Sequence, residues 1–295
     1  MFDLFIRFRV SQAGRPKADN TRRPSIDKRA EKPLPQRRLL TIKEIPAWVD
    51  ANPFILSGYR PASNSARVSL ASWTYLHNES CNIYSHLIPA VGALLAQGFL
   101  YHHVSTKYEN LTIFDWSILS LQLLSALICL MTSTLYHTLL NHSAQVAHRW
   151  LLNDYVGIIT LILGNFISGL HFGFYCSEHM KLAYWTLILV VGSATGMILV
   201  SPKFQGPEWR MFRLRSFICT VRIGVPYYLG EGLLILIGCY FWERRVPERY
   251  YPGRFDIFGH SHTIWHIFVV LAIALHVLGL LSAMDYDYNE SVCRP

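Results

Sequence analysis

The sequence predicts an all-α membrane protein, a bundle of seven transmembrane helices. Three observations support this fold class. The 295-residue chain is 52% hydrophobic and only 16% charged, whereas globular proteins in water carry roughly 25% charged residues. Apolar runs of about 20 residues, the length that crosses a bilayer, recur along the chain. The later charged residues gather in short patches between those runs, as they do in proteins that cross a membrane several times.

The N-terminal segment, 1–45, differs from the rest of the chain. It holds about 12 of the 27 Lys and Arg residues. Between 11 and 38 it is rich in Arg, Lys, Pro and Asn and poor in large apolar residues, a composition typical of disorder. We therefore expect a disordered basic cytoplasmic tail at 1–45, a seven-helix transmembrane domain at 46–284 and a short C-terminal tail at 285–295. A basic tail beside a membrane can also contact anionic lipid, although a solvated tail is the simpler interpretation.

Five apolar runs predict ordinary spans, near 83–104, 115–139, 150–172, 180–201 and 261–283. The stretch 209–242 is too long for one span and barely long enough for two. Gly224, Pro226, Gly230 and Gly232 indicate a turn in its middle. We expect two abnormally short spans there, the fifth and the sixth.

The sides of the membrane on which polar residues lie favour a count of seven. His137 lies near the end of the second span and Asp154 near the start of the third, so their short connection keeps both on one side. For His262 to join them, two further crossings must lie between the fourth span and the last. The same count places every basic stretch on the side of the N-terminus, which the positive-inside rule makes cytoplasmic. The C-terminus is then outside.

Histidines at the cytoplasmic edge of this bundle predict a metal site. His262 and His266 are four residues apart, so on a helix both imidazoles lie on one face, where they can hold one ion. His137 is the third candidate ligand. Three neutral imidazoles plus a water form the open coordination of catalytic zinc, whereas structural zinc usually has four protein ligands. Asp154 would orient the water and accept its proton, and Ser133 would hydrogen-bond the water or a substrate oxygen.

Plainer interpretations stay open at this point. A histidine in a membrane helix is more often a hydrogen-bonded packing residue than a ligand, and the spacing of one pair does not decide between the two. His260 lies only two residues from His262, so it should point away from the ligand face. Glu79 and Asn82 are explained as well by capping of the first span as by a role in the site.

Five stretches of the sequence carry a resemblance to a known family. They are 55–61 (ILSGYRP), 76–86 (LHNESCNIYSH), 133–137 (STLYH), 154–157 (DYVG) and 246–257 (VPERYYPGRFDI), the last leading into the histidine pair. In this order they resemble the motifs of the progestin and adiponectin receptor family, which includes the haemolysin III-like proteins. The adiponectin receptor branch looks nearest, and the resemblance runs from about residue 48 to residue 283.

The resemblance implies a seven-helix fold with the N-terminus inside and a zinc ion near the cytoplasmic face. By motif, the zinc ligands would be His137, His262 and His266, with Asp154 and Ser133 close to the zinc-bound water. The motif that contains Glu79, Asn82 and His86 implies no definite role. Family members normally have a longer stretch between the counterparts of Pro226 and Arg245, so roughly one helix's worth of sequence is missing here. Two short spans at 209–242, a deletion and a faulty gene model stay open as explanations.

Two functions fit these expectations. The family resembles membrane hydrolases that include alkaline ceramidases, and its members are described as receptors, as ceramidases and as regulators of lipid or zinc homeostasis. We favour a hydrolase-like protein that acts on ceramide or a related lipid amide in lipid metabolism and signalling. The alternative is a receptor for an extracellular ligand in which zinc is structural and no lipid is turned over. Ion transport fits less well, because no span carries acidic residues repeated through its midsection. We expect no nucleic-acid partner, and a location in the plasma membrane or the endoplasmic reticulum.

Overall fold

A computed structural model describes residues 38–201 and 229–289 of the chain. In that part the chain forms seven helices and no β-strand. The helices are α1 (Ala66–Ala71), α2 (Ser80–Lys107), α3 (Ile113–Leu139), α4 (Ala144–Gly173), α5 (Glu178–Val200), α6 (Leu229–Arg244) and α7 (Ser261–Asn289), with a 3₁₀ turn at Ser72–Thr74. The all-α prediction is confirmed for these residues.

Five helices, α2 to α5 and α7, are long and apolar enough to cross a membrane, and they correspond to the five predicted ordinary spans. Polar residues extend two of them beyond the apolar run, α4 at its start and α7 at its end. The described part of α6 has 16 residues, and its length of about 24 Å is shorter than the ~30 Å hydrocarbon core of a bilayer. Residues 209–228 of the predicted short hairpin lie outside the described residues. The count of seven spans and the sides of the membrane therefore stay predictions, as does the disordered tail at 1–45, of which 1–37 lies outside the described residues.

The outer surface of the bundle is apolar. Large hydrophobic side chains are exposed along α2, among them Leu94, Leu95 and Phe99, and along α5, among them Leu182 and Val190. Proteins that fold in water rarely expose so much contiguous apolar surface. These faces are the ones that lipid acyl chains would cover, as expected for an integral multi-pass membrane protein.

Helices α3 and α4 approach each other closely because glycines lie at their contact. A Cβ atom added at Gly157 would lie 2.1 Å from Thr132 Oγ1, and one at Gly164 would lie 2.0 Å from Ser125 Oγ. Small residues allow this close approach of two backbones inside a membrane. The tight antiparallel pair sets the distance between the side chains where α3 ends and those where α4 begins.

A polar network in the middle of the bundle joins α3, α4, α6 and α7. Gln122 Nε2 donates to Asn165 Oδ1 at 2.7 Å, and Asn165 Nδ2 donates to Glu231. His276 lies between two partners, with Nδ1 2.9 Å from Glu231 Oε2 and Nε2 3.1 Å from Ser168 Oγ. Because hydrocarbon offers no hydrogen bonds, these contacts tie the short α6 to its neighbours.

Two segments, 38–79 and 245–260, cover one end of the bundle, and we call them the collar. They hold each other by hydrogen bonds. Asp256 accepts from Leu56 N at 2.9 Å and from Ser57 Oγ at 2.6 Å. This contact joins the first motif of the sequence analysis to the last one.

Charged residues of the collar bind the ends of two helices. The buried Arg60 guanidinium donates to His137 O at 2.6 Å and to Thr138 O at 2.9 Å, which are carbonyls near the C-terminus of α3 that lack helical partners. The buried Glu248 carboxylate accepts from Ser261 N at 2.8 Å, at the N-terminus of α7. The collar thus fixes the end of α3 and the start of α7, where the predicted ligands lie.

Candidate metal centre

The structure brings His137, His262 and His266 together, and we call them the histidine trio. One ligand nitrogen from each lies within 4.8 Å of the others. The Nε2 atoms of His137 and His262 are 3.2 Å apart. Two nitrogens that bind one zinc ion tetrahedrally at 2.0–2.1 Å lie about 3.4 Å from each other. The spacing therefore fits two ligands of a single zinc ion, with the third close by.

Helices α3 and α7 position the trio. His137 lies in the last turn of α3, and the other two lie on successive turns at the start of α7. The ring centroids of His262 and His266 are 4.6 Å apart, as their four-residue spacing predicts.

Hydrogen bonds on the outer side of two rings orient them toward the centre of the trio. His137 Nδ1 lies 2.8 Å from Glu79 Oε2. His266 Nδ1 lies 3.0 Å from Ser85 Oγ and 3.2 Å from the carbonyl oxygen of Asn82. An imidazole that donates its Nδ1 proton in this way presents the lone pair of Nε2, the form that binds a metal ion. The donor set therefore fits zinc in chemistry as well as in spacing.

Glu79 and Asn82 belong to one chain of hydrogen bonds beside the trio. Asn82 Nδ2 donates to Glu79 Oε2 at 2.7 Å, and Thr263 Oγ1 donates to Asn82 Oδ1 at 2.7 Å. Burial raises the pKa of Glu79, but hydrogen bonds from His137 and Asn82 outweigh it and hold this pKa well below its usual range. Glu79 is the N-cap residue of α2, yet its side chain makes no capping hydrogen bond. The carboxylate therefore does not cap the backbone of α2, and the hydrogen bond from Asn82 ties it to the first turn of that helix.

Two neighbouring histidines lie outside the trio. The His86 ring stacks on His266, with centroids 3.8 Å apart and planes at 13°. His260 Nε2 lies 3.3 Å from Asn78 O and 3.2 Å from Thr263 Oγ1. His260 thus makes its polar contacts away from the trio, as its spacing from His262 predicts.

Asp154 and Ser133 lie beside the trio. Ser133 is buried one turn before His137 on α3. The half-buried Asp154, on the third turn of α4, lies near the Ser133 side chain and His137. The structure therefore brings all five residues selected from the sequence into one region, while their roles in chemistry stay predictions.

A cavity of about 460 Å³ opens between the trio and the collar. His137 and His262 line its inner side, and Trp48 and Tyr59 are among the collar residues on its outer side. This volume is in the usual range for small-molecule sites. A polar ligand group can therefore reach the trio from the collar side.

Comparison with known proteins identifies the family of this chain. The family model described as haemolysin-III related matches residues 74–230 and 220–277, which together are more than half of the chain. The chain belongs to the haemolysin III-related family. Within it, the chain is similar to proteins named as adiponectin receptors. They include an ADIPOR-like receptor of Saccharomyces cerevisiae, 33% identical over 270 residues that cover 84% of this chain and 85% of that protein. The adiponectin receptor protein of Drosophila melanogaster is 30% identical over 272 residues, 85% of this chain and 61% of that protein.

The yeast comparison also bears on the length of this haemolysin III-related chain. Because 84% of 295 residues is about 248, about 22 of the 270 aligned positions have no residue in this chain. That deficit is close to the ~20 residues of one membrane span. The two segments matched by the family model overlap at 220–230, inside the stretch that the sequence analysis expects to be short.

Proposed function

We propose that this haemolysin III-related protein is a zinc-dependent membrane hydrolase that cleaves a lipid amide, ceramide or a relative of it. The observation that carries the proposal is the histidine trio, with ligand nitrogens within 4.8 Å of one another and the Nε2 atoms of His137 and His262 3.2 Å apart, and with Asp154 and Ser133 beside it. Three imidazoles leave a fourth coordination position open, which is the donor set of catalytic zinc.

The residues of the site would divide the chemistry as follows. Zinc, when bound, would polarise the amide carbonyl and lower the pKa of a water toward ~7. Asp154 would accept a proton as that water adds to the carbonyl carbon, and would return it to nitrogen as the C–N bond breaks. The products are a fatty acid and a free amine. Ser133 would hold the carbonyl oxygen or the water, and Glu79 would keep His137 oriented.

The substrate would be a membrane lipid of the plasma membrane or the endoplasmic reticulum. Its acyl chain would lie along the apolar helices of the bundle, and its polar end would lie in the cavity under the collar. With the predicted sidedness, the amine would leave toward the cytoplasm.

A second candidate function is a receptor in which zinc is structural. The names of the relatives favour it, since those from yeast and Drosophila are called receptors. So does the position of the trio, which would let one ion join α3 to α7. An extracellular ligand would then act by shifting these helices.

The test measures zinc per purified chain in detergent and ceramide hydrolysis in the same samples. For a hydrolase, wild type should hold about one zinc, lost in His262→Ala, and Asp154→Asn should keep zinc but lose turnover. Full turnover in Asp154→Asn would contradict its assigned role. For a receptor, no lipid is turned over, and His137→Ala lowers the Tm and signalling together. Well-folded wild type without zinc would exclude both proposals.

A further inference from the structure

Two arginines line the cavity beside the trio, and their surroundings differ. Arg60 is buried, and its guanidinium is engaged by backbone carbonyls and by a hydroxyl. Arg245 is half-buried, and in the part of the chain that the structure describes it forms no ion pair and its guanidinium donates no hydrogen bond. Of the cavity carboxylates, Glu79 is hydrogen-bonded to His137 and Asn82, and within the described residues no ion pair joins Asp50 to Arg245. Arg245 is thus a cation at the wall of a cavity, available to an anion.

The backbone at Arg245 favours glycine. Its φ is +53°, in the left-handed region that strains every residue with a Cβ atom. Arg245 N donates to Trp242 O at 3.2 Å, and Val246 N donates to Phe241 O at 3.2 Å. These hydrogen bonds close a helix C-terminus in the way that usually places glycine at this position.

The geometry at the end of α6 therefore does not explain why an arginine occupies position 245. Arg244, in the last turn, already supplies a cation to the C-terminus of this helix. Arg244 is exposed and does not line the cavity, whereas Arg245 does. What distinguishes Arg245 is the placement of its side chain.

We propose that Arg245 is the anion-binding group of the cavity, and that the ligand is an acyl amide whose amine part carries a carboxylate or a phosphate. This rests on the proposed function, in which the acyl chain lies in the bundle and the amine part projects into the cavity. A guanidinium binds either group through two parallel N–H donors. Water would cleave the amide to a fatty acid and an amine that keeps the anionic group. The neutral polar part of ceramide would leave Arg245 without a partner.

The test is a binding measurement on the full-length, zinc-loaded protein in detergent. Three probes share one acyl chain: an N-acyl glycine, an N-acyl phosphoethanolamine with a free phosphate monoester, and an N-acyl ethanolamine, which is neutral. Because a hydrogen bond to a charged group is worth about 10- to 100-fold in affinity, wild type should prefer at least one anionic probe by that factor. The tighter anionic probe tells whether the ligand carries carboxylate or phosphate.

Matched variants test whether the preference for an anionic probe depends on Arg245. Arg245→Gly relieves the backbone strain and should remove the preference, while Arg245→Lys, which keeps the charge without the two-pronged geometry, should retain part of it. Arg244→Gln, at the exposed neighbouring position, should behave as wild type. Zinc content should stay at wild-type level in all three, which shows that the trio is undisturbed.

Two outcomes would overturn the inference. One is equal affinity of wild type for charged and neutral probes, and the other is a preference that survives in Arg245→Gly. Turnover of the probes is measured separately, so the two proposals can fail independently. A preference for an anionic probe that depends on Arg245, without turnover of any probe, would contradict the proposed hydrolase activity and support the anion site. Turnover of all three probes with equal affinity would support the proposed hydrolase activity and contradict the anion site.

Discussion

Replacement of Glu79 by glutamine isolates the effect of one negative charge on the metal centre. The carboxylate accepts from His137 Nδ1 at 2.8 Å and from Asn82 Nδ2 at 2.7 Å. Glutamine has nearly the same shape and keeps one acceptor oxygen, so the imidazole can still donate to it. The hydrogen bond that orients the ring becomes neutral, and the basicity of the ring toward a metal ion falls.

The magnitude follows from the kind of hydrogen bond that is lost. A hydrogen bond to a charged group contributes about 1.5–3 kcal/mol, and a neutral one contributes about 0.5–1.5 kcal/mol. The difference of about 1–1.5 kcal/mol predicts a zinc Kd roughly tenfold weaker in Glu79→Gln. Glu79→Ala leaves His137 Nδ1 and Asn82 Nδ2 without this acceptor, so we expect a loss toward the ~100-fold limit of such partners.

The assay is competition for zinc between the purified protein and a chelator of known affinity. Glu178→Gln is the control, since this carboxylate is exposed at the opposite end of the bundle and pairs only with Lys181 in the described structure. Circular dichroism establishes that each variant keeps its helices. A Glu79→Gln protein that is folded and binds zinc as tightly as wild type would refute the argument that Glu79 acts through His137.

Three further predictions test the packing and the support of the site. Gly164→Ala should lower the Tm in detergent, because the new Cβ would lie 2.6 Å from Ser125 Cβ. The overpacking costs about 1–3 kcal/mol of stability, which exceeds the gain of about 1 kcal/mol in helix propensity. Gly98→Ala is the control: the new Cβ would have no neighbouring atom within 4 Å, so only the gain in helix propensity should appear, as a higher Tm. Glu248→Ala removes the buried acceptor of Ser261 N, so it should cost about 2 kcal/mol of stability and reduce zinc content. Removal of zinc by chelation should lower the Tm of wild type but not of His262→Ala, since free zinc at about 1,000 times its Kd adds roughly 4 kcal/mol.

The parts of this architecture that follow from local pattern could be predicted from the sequence. Each of the five long helices is an apolar run that a bilayer requires to be helical, and polar residues account for their extra length. A four-residue spacing places His262 and His266 on one face whatever the rest of the fold does. The short connection between α3 and α4 brings Asp154 near His137 for a similar reason.

The supporting contacts could not be predicted, because they join residues that are distant in sequence. Glu79 and His137 are 58 positions apart in the sequence, and no periodic pattern predicts which carboxylate will contact which imidazole ring. A signal for Glu79 did exist, since a carboxylate at the edge of a membrane span is costly without a partner, but that rule does not name the partner. Arg60 and Glu248 lie in irregular segments, where sequence rules identify turns rather than the helix ends that side chains bind.

In the described residues, most of the contacts that support the histidine trio come from outside 209–242, the stretch that the sequence analysis expects to be short. Among the described residues, these contacts come from α2, α3, α4 and the collar. Trp242 of α6, at the end of that stretch, adds a ring 5.2 Å from that of His262. A deficit of about one span relative to the yeast protein leaves His137, His262 and His266 in the sequence, so we expect it to affect how the bundle holds an acyl chain more than whether zinc binds. Zinc binding with weak or absent lipid turnover would then point to the shortened bundle rather than to the site, and restoring a full-length span from a relative should raise turnover while leaving the zinc Kd unchanged.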